Sequence, residues 1–229
     1  MKTFYKKTPT ILTMICLGLI LISSCKKDEP EDIVYGNAKI RVVNTVPNSA
    51  AQDFYQGEAK ISTSSVTYGN SSDYLTVKAG KSTVSFRNSG TTTVSAVGTI
   101  GANTDGVYTL FYYTNGNGGG EVDGFADDNT APATGKARVR FISLGLAFNN
   151  TLSVSYTGLA GTSIVSGLAY GNVSAYNSID PNVDLSVVVL GSASTTVIPG
   201  NNFVAGKNYT VWFDAASSTS ANYHVILQN

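Results

Sequence analysis

Cysteine, histidine, tryptophan and charge are all scarce in this 229-residue chain, which has two Cys, one His, one Trp and 13% charged residues. Both cysteines, Cys16 and Cys25, lie near the start, so nothing beyond them can be crosslinked and stability has to come from burial. With His224 as the one imidazole, the body of the chain offers neither a His-based triad nor a Cys/His metal site. His224 sits in Tyr223-His224-Val225-Ile226-Leu227, where alternation predicts that it points away from the apolar face and lies on the surface of a strand. Long apolar runs are missing too: Ile11 to Ile22 spans 12 residues, short of the ~20 that a membrane-crossing helix requires.

That short run follows Lys2, Lys6 and Lys7, the shape of a secretory signal peptide over residues 1–24. Ile22-Ser23-Ser24-Cys25 resembles a bacterial lipobox, which implies cleavage before Cys25 and a diacylglycerol on its sulfur with a further fatty acyl chain such as palmitate. Lys27-Asp28-Glu29 resembles the export signal of Bacteroidetes lipoproteins, which implies the outer face of the outer membrane. The expected cofactor list is therefore empty apart from this covalent lipid. Outer-membrane lipid becomes the first expected partner, held through the acyl chains on Cys25. Residues 25–36 read as a tether, and the stretch from Lys26 to Gly36 reaches ~36 Å at about 3.3 Å per residue.

Removing residues 1–24 takes three of the 15 basic residues and none of the 15 acidic ones, leaving 12 against 15. A weakly acidic body excludes nucleic acid, whose phosphates demand a basic surface. Short alternating segments dominate what remains. Ile40 and Val42, Val84 and Phe86, Val139 and Phe141, Leu185, Val187 and Val189 each mark a half-buried strand. Turn residues separate them at Pro47-Asn48, Asn88-Ser89-Gly90 and Asp180-Pro181-Asn182, and Gly80-Lys81-Ser82 reads as a hairpin turn, not a phosphate loop.

Three blocks recur in order. Arg140 stands 99 positions after Arg41 within similar strands, Tyr170-Gly171-Asn172 stands 102 after Tyr68-Gly69-Asn70, and Tyr209 stands 101 after Tyr108. The chain is accordingly read as all-β: two tandem immunoglobulin-like or transthyretin-like β-sandwich domains of about seven strands each, over residues 37–130 and 136–229. Ala38-Lys39-Ile40-Arg41-Val42-Val43-Asn44 with Pro47-Asn48, Asp53-Phe54-Tyr55, Tyr74, Val77-Lys78-Ala79-Gly80 and Phe125-Ala126-Asp127-Asp128 resembles the bacterial family known as domain of unknown function 4397. The resemblance covers the first copy well. It implies secreted or surface β-sandwich modules, often paired, without an established activity. Asn44 stands where the family usually has His.

Two features are candidates for chemistry. Glu121, Asp123, Asp127 and Asp128 are close in sequence, and Asp123, Asp127 and Asp128 are weak Ca²⁺ candidates, although alternation separates Asp123 from Asp128 and the segment also reads as an interdomain boundary. A hydrolase using Asp127 and Asp128 would need a cleft there. The second feature is aromatic: with Tyr209, Val211 and Phe213 facing the core, Trp212 faces outward, as do Phe111 and Tyr113 in the first copy. These rings suit a sugar face or a protein anchor if open, or burial beneath the other domain if not. The functional expectation is a surface-exposed, lipid-anchored outer-membrane protein acting without catalysis as a binding or adhesion module, with a surface glycan or another envelope protein as partner. A structural scaffold of the cell envelope is the alternative.

Overall fold

Apolar side chains at every second position, broken by Gly, Asn and Pro turns, give sixteen strands in the computed structural model, which describes residues 36–158 and 162–229. Cys25, Lys27, Asp28 and Glu29 lie outside the described residues, as do the signal peptide and nearly all of the tether. The first half holds β1 (Asn37–Asn44), β2 (Gln52–Gln56), β3 (Ala59–Lys60), β4 (Leu75–Lys78), β5 (Gly80–Asn88), β6 (Val94–Ala102), β7 (Val107–Thr114) and β8 (Gly120–Ala126). The second holds β9 (Ala137–Ser143), β10 (Leu152–Tyr156), β11 (Ser163–Leu168), β12 (Asn177–Ile179), β13 (Leu185–Val189), β14 (Thr195–Ile198), β15 (Asn208–Ser217) and β16 (Ser220–Leu227). No helix among the described residues is long and apolar enough to cross a membrane.

Each half is a sandwich of two four-stranded sheets with the same strand order. In the first, β4-β1-β7-β8 covers β3-β2-β5-β6; in the second, β12-β9-β15-β16 covers β11-β10-β13-β14. The opening strand of each half is central and runs parallel to the seventh, with Arg41 opposite Thr109 and Arg140 opposite Thr210. An immunoglobulin sandwich instead groups its first strand with the second, fourth and fifth, so the transthyretin-like alternative is the one that remains. Eight strands per half replace the seven expected. The additional pieces are too short or too rich in glycine to alternate visibly: β3 has two residues, and β6 reads Val-Ser-Ala-Val-Gly-Thr-Ile-Gly-Ala.

Ile40, Val42, Phe54, Val84, Phe86 and Leu110 fill the first core, and Val139, Phe141, Leu152, Val187, Val211 and Phe213 fill the second. Asn48 and Asn182 take positive φ (59° and 60°) in their Pro-Asn turns, a conformation Asn tolerates because its short side chain can bond locally. Gly80, expected in a hairpin, forms a corner instead. Its φ of 102° sends the chain from β4 in one sheet to β5 in the other.

Gly200 is buried where a Cβ would stand 2.3 Å from Val183 N and 2.4 Å from the Asn182 carbonyl carbon, both backbone atoms that cannot swing away. Gly200→Ala is expected to cost about 1–3 kcal/mol through overpacking. A shift of the urea midpoint to lower concentration at unchanged slope checks this.

Candidate functional site

The sheets containing β1/β7 and β9/β15 turn their outer faces toward each other. Val43, Phe111, Ile142, Trp212 and Ile226 form a third apolar cluster between them, with Tyr68, Phe125 and Val173 packed against it. This explains β15, where seven consecutive residues from Asn208 to Asp214 are buried: one set of alternate side chains fills its own sandwich and the other fills the seam. Contacts across the seam come in reciprocal pairs. Arg41 Nη1 donates to the Leu227 carbonyl (2.6 Å) and Arg140 Nη1 to that of Ala126 (2.8 Å). Tyr68 OH donates to Asp214, and Tyr170 OH to the Thr114 carbonyl. Such self-complementarity is the mark of an isologous interface, here within one chain.

Asp127 lies just after β8 with its side chain fully buried. Its Oδ2 accepts from Thr109 Oγ1 (2.7 Å) and Tyr74 OH (2.8 Å) in its own half. From the other half, its Oδ1 accepts from Arg140 Nη2 and from Gln228 Nε2 (2.6 Å). Arg140, itself 3% exposed, places its remaining groups on the Ala126 carbonyl and on Thr210 Oγ1 (2.8 Å). Gln228 Oε1 accepts from Tyr176 OH. Every charge in this group is met, as a low-dielectric site demands. Burial, and then the neighbouring carboxylate of Asp127, hold the Tyr74 phenol well above its ordinary range.

At the other end of the seam, His224 stacks on its cross-strand neighbour Trp212 with ring centroids 3.7 Å apart and planes 4° apart. Tyr68 meets both rings edge-on. His224 Nε2 lies 3.6 Å from Asp214 Oδ1, beyond hydrogen-bond length. Burial opposes ionisation of Asp214; attraction to His224 and the hydrogen bond from Tyr68 outweigh it and lower the carboxyl below its ordinary value. Asp214 also lines a cleft of about 180 Å³ between the halves, together with Thr45, Thr114, Leu144, Leu146 and Ala215.

The loops around this cleft share a composition. Residues 45–51, 89–93, 115–119, 144–150, 191–194 and 217–219 contain no Lys, Arg, Asp or Glu and are rich in Ser, Thr, Asn and Gly. Ser89 N to the Ala51 carbonyl joins two of them in the first half, and Asn149 N to the Ser218 carbonyl and Ser192 Oγ to that of Thr219 join three in the second. They lie at the ends of β1 and β9, opposite the end at which the chain enters β1.

The outward side chains lie on the face that alternation gives them, and the other half covers it: Trp212 and Phe111, ligand candidates if open, are buried at 0% and 1% exposure, the second of the two readings. Tyr113 is half-buried beside Glu121, and its phenol is pushed up to about 12 by burial and then by Glu121 and Asp123. His224 belongs to the seam, not to a free strand surface. The Ca²⁺ candidates do not converge: Asp127 is neutralised by Arg140, Asp128 is held below its ordinary range by Arg138 and Thr130, and Asp123 faces solvent and accepts from Gly124 N. Among the described residues no three His, Cys, Asp or Glu side chains gather as metal ligands.

Asp127→Ala strands the Arg140 guanidinium in the seam and is expected to cost about 3–5 kcal/mol. The double change Asp127→Leu with Arg140→Met restores most of that loss, since an apolar pair of similar volume needs no compensation. Urea unfolding of the three proteins decides this. Because the Asp214 pKa is lower in the folded than in the unfolded chain, its contribution is complete above about pH 4, the unfolded carboxylate range, and is lost as pH falls through the folded value. Asp214→Asn is therefore expected to flatten the acid limb of the stability profile, as followed by thermal melts at stepped pH.

No curated protein matches the chain. Among solved structures it is similar to a family 26 carbohydrate-binding module of Eubacterium rectale Amy13K, solved in complex with maltoheptaose. That pair shares 13% identity over 84% of this chain and 97% of the other, with a TM-score of 0.26. It is also similar to a fimbrial assembly protein of Parabacteroides distasonis, at 11% identity over 86% of this chain and all of that one, with a TM-score of 0.23. Likeness this distant says nothing about binding. The family model described as a domain of unknown function, DUF4397, matches residues 38–154, which takes in the whole first sandwich and continues to Val154 in β10. With half of its length matched, the chain belongs to that family.

Proposed function

We propose that this is a lipid-anchored protein of the outer-membrane surface that binds without catalysis, using the uncharged loop rim and the cleft it encloses to hold a neutral polysaccharide. The observation that carries the reading is the contrast between the two ends of the molecule: the chain enters at one, and the rim at the other carries no charged side chain in any of its six loops. Hydroxyl and carboxamide groups on such a rim match the donors and acceptors of sugar hydroxyls. Loops at one end of a rigid sandwich are a recurrent place for recognition.

Catalysis by Asp127 and Asp128 is not favoured, because Arg140 and Arg138 already engage them. A protein contact is the second reading, and the exposed Leu146 and Leu190 at the same end favour it. Cys25 would carry the diacylglycerol and acyl chains, whose combined burial anchors far more firmly than a single chain.

The test uses the compact unit from residue 34 to 229 on a panel of neutral polysaccharides. Binding is expected, and Leu146→Arg is expected to weaken it at least 10-fold without moving the unfolding midpoint. A flat panel sinks the glycan reading, and crosslinking on intact cells then shows whether a protein occupies the rim. Cys25→Ser in the full chain is expected to abolish palmitate labelling and release the protein from the membrane fraction.

A further inference from the structure

The end of the molecule opposite the loop rim has its own character. Lys39, Lys78 and Lys81 surround the start of β1: Lys78 is paired in register with Asn37, Lys39 with Thr76, and Lys81 lies in β5 just after the Gly80 corner. The second sandwich brings Lys207 to the same end. It immediately precedes β15, whose Asn208 carbonyl accepts from Gln228 N, and Leu227 beside it accepts from Arg41 of β1. All four lysines are exposed, and none forms an ion pair among the described residues. The carboxylates at this end are mostly occupied: Asp180 by Lys136, Asp128 by Arg138, and Asp184 by Gly200 N. Asp105 is the acidic group left beside Lys39.

Two grooves open between these lysines. One of about 540 Å³ is lined by Lys78, Lys81, Gln56, Ser82 and Thr83; a neighbour of about 430 Å³ is lined by Lys39 and Asp105; Asn37 and Thr76 line both. Exposed Val204 (57%) and Leu227 (49%) stand at the same end. Ammonium groups next to amides, hydroxyls and a few open aliphatic side chains are the donor set for a phosphate-bearing amphiphile at a membrane surface. The chain enters β1 at Asn37, eleven residues beyond Lys26, so a body tethered at Cys25 has this end within ~36 Å of the bilayer.

We propose that Lys39, Lys78, Lys81 and Lys207 dock the folded body on the anionic phosphate headgroups of the membrane that anchors it. The proposal rests on the lipid-anchor reading for its location but makes a separate claim, that the body itself touches the bilayer. Docking holds the sandwiches upright and points the loop rim away from the membrane. The lysines hold by long-range charge, so contact weakens as salt shortens the screening length.

Residues 34–229 form a compact unit with its own cores, so this chain without anchor or tether is the test protein. Starting it at residue 34 also omits the acidic residues of the tether, and the measurement reads the lysine end alone. Cosedimentation is measured with vesicles of neutral phosphatidylcholine and with vesicles containing a third phosphatidylglycerol. Binding is expected on the anionic vesicles, falling at least 10-fold in Lys39→Gln/Lys78→Gln/Lys81→Gln. Equal binding to both vesicle types overturns the proposal, as does an undiminished triple variant. Displacement by inorganic phosphate at constant ionic strength also overturns it, in favour of a site for a free anion. The anchor reading is decided separately, by palmitate labelling of the full chain and its Cys25→Ser variant, so failure of one leaves the other standing.

Discussion

A guanidinium that is 3% exposed has to be neutralised where it lies, and Asp127 does this for Arg140 from the opposite half of the molecule. The pair fixes more than itself. Asp127 is held by Thr109 and Tyr74 of the first sandwich, and Arg140 by Thr210 of the second, so a rotation of one body against the other would break bonds on both sides. Apolar contact alone, as between Phe111 and Trp212, tolerates sliding. A buried charge with several fixed partners does not. The apolar cluster supplies the attraction, and the ion pair defines the register at which the halves meet.

That register carries consequences to both ends. Because β1 and β9 start at one end and finish at the other, the alignment brings loops from both sandwiches around a single cleft and gathers lysines from both around the entry of the chain. The cleft exists on neither sandwich alone. The Tyr68 arm, which bonds Asp214 and packs on Trp212 and His224, closes the rim end of the seam and keeps Asp214 at the wall of the cleft.

Much of this was legible in the residues. Period-two alternation located the long central strands, the Pro-Asn segments are turns as expected, and the recurrence of Arg41 at Arg140 reflected equivalent places in a repeated strand order. The outer face of β7 and β15 was harder to read. Tyr108 to Tyr112 and Tyr209 to Phe213 are nearly uninterrupted apolar runs, and an uninterrupted run signals burial on both faces where strict alternation signals one. Weighed that way, Trp212 and Phe111 belong in a seam. The partner of Asp127 was not legible, since Arg41, Arg138 and Arg140 all alternate with core residues on their strands and only the packed sheets select among them. His224 was assigned to the surface for a related reason: alternation gives the side of a strand but not what stands beyond it.

The reciprocal contacts across the seam are equal in geometry but not in chemistry. Asp127 and Gln228 occupy corresponding places, one after each sandwich, and they bond to each other. Two separate copies of one polypeptide could not make that arrangement, because each would bring the same residue: two acids would repel, and two amides would leave both arginines without a counter-charge. Joining the halves in one chain frees matching positions to differ. It also makes their meeting independent of protein concentration.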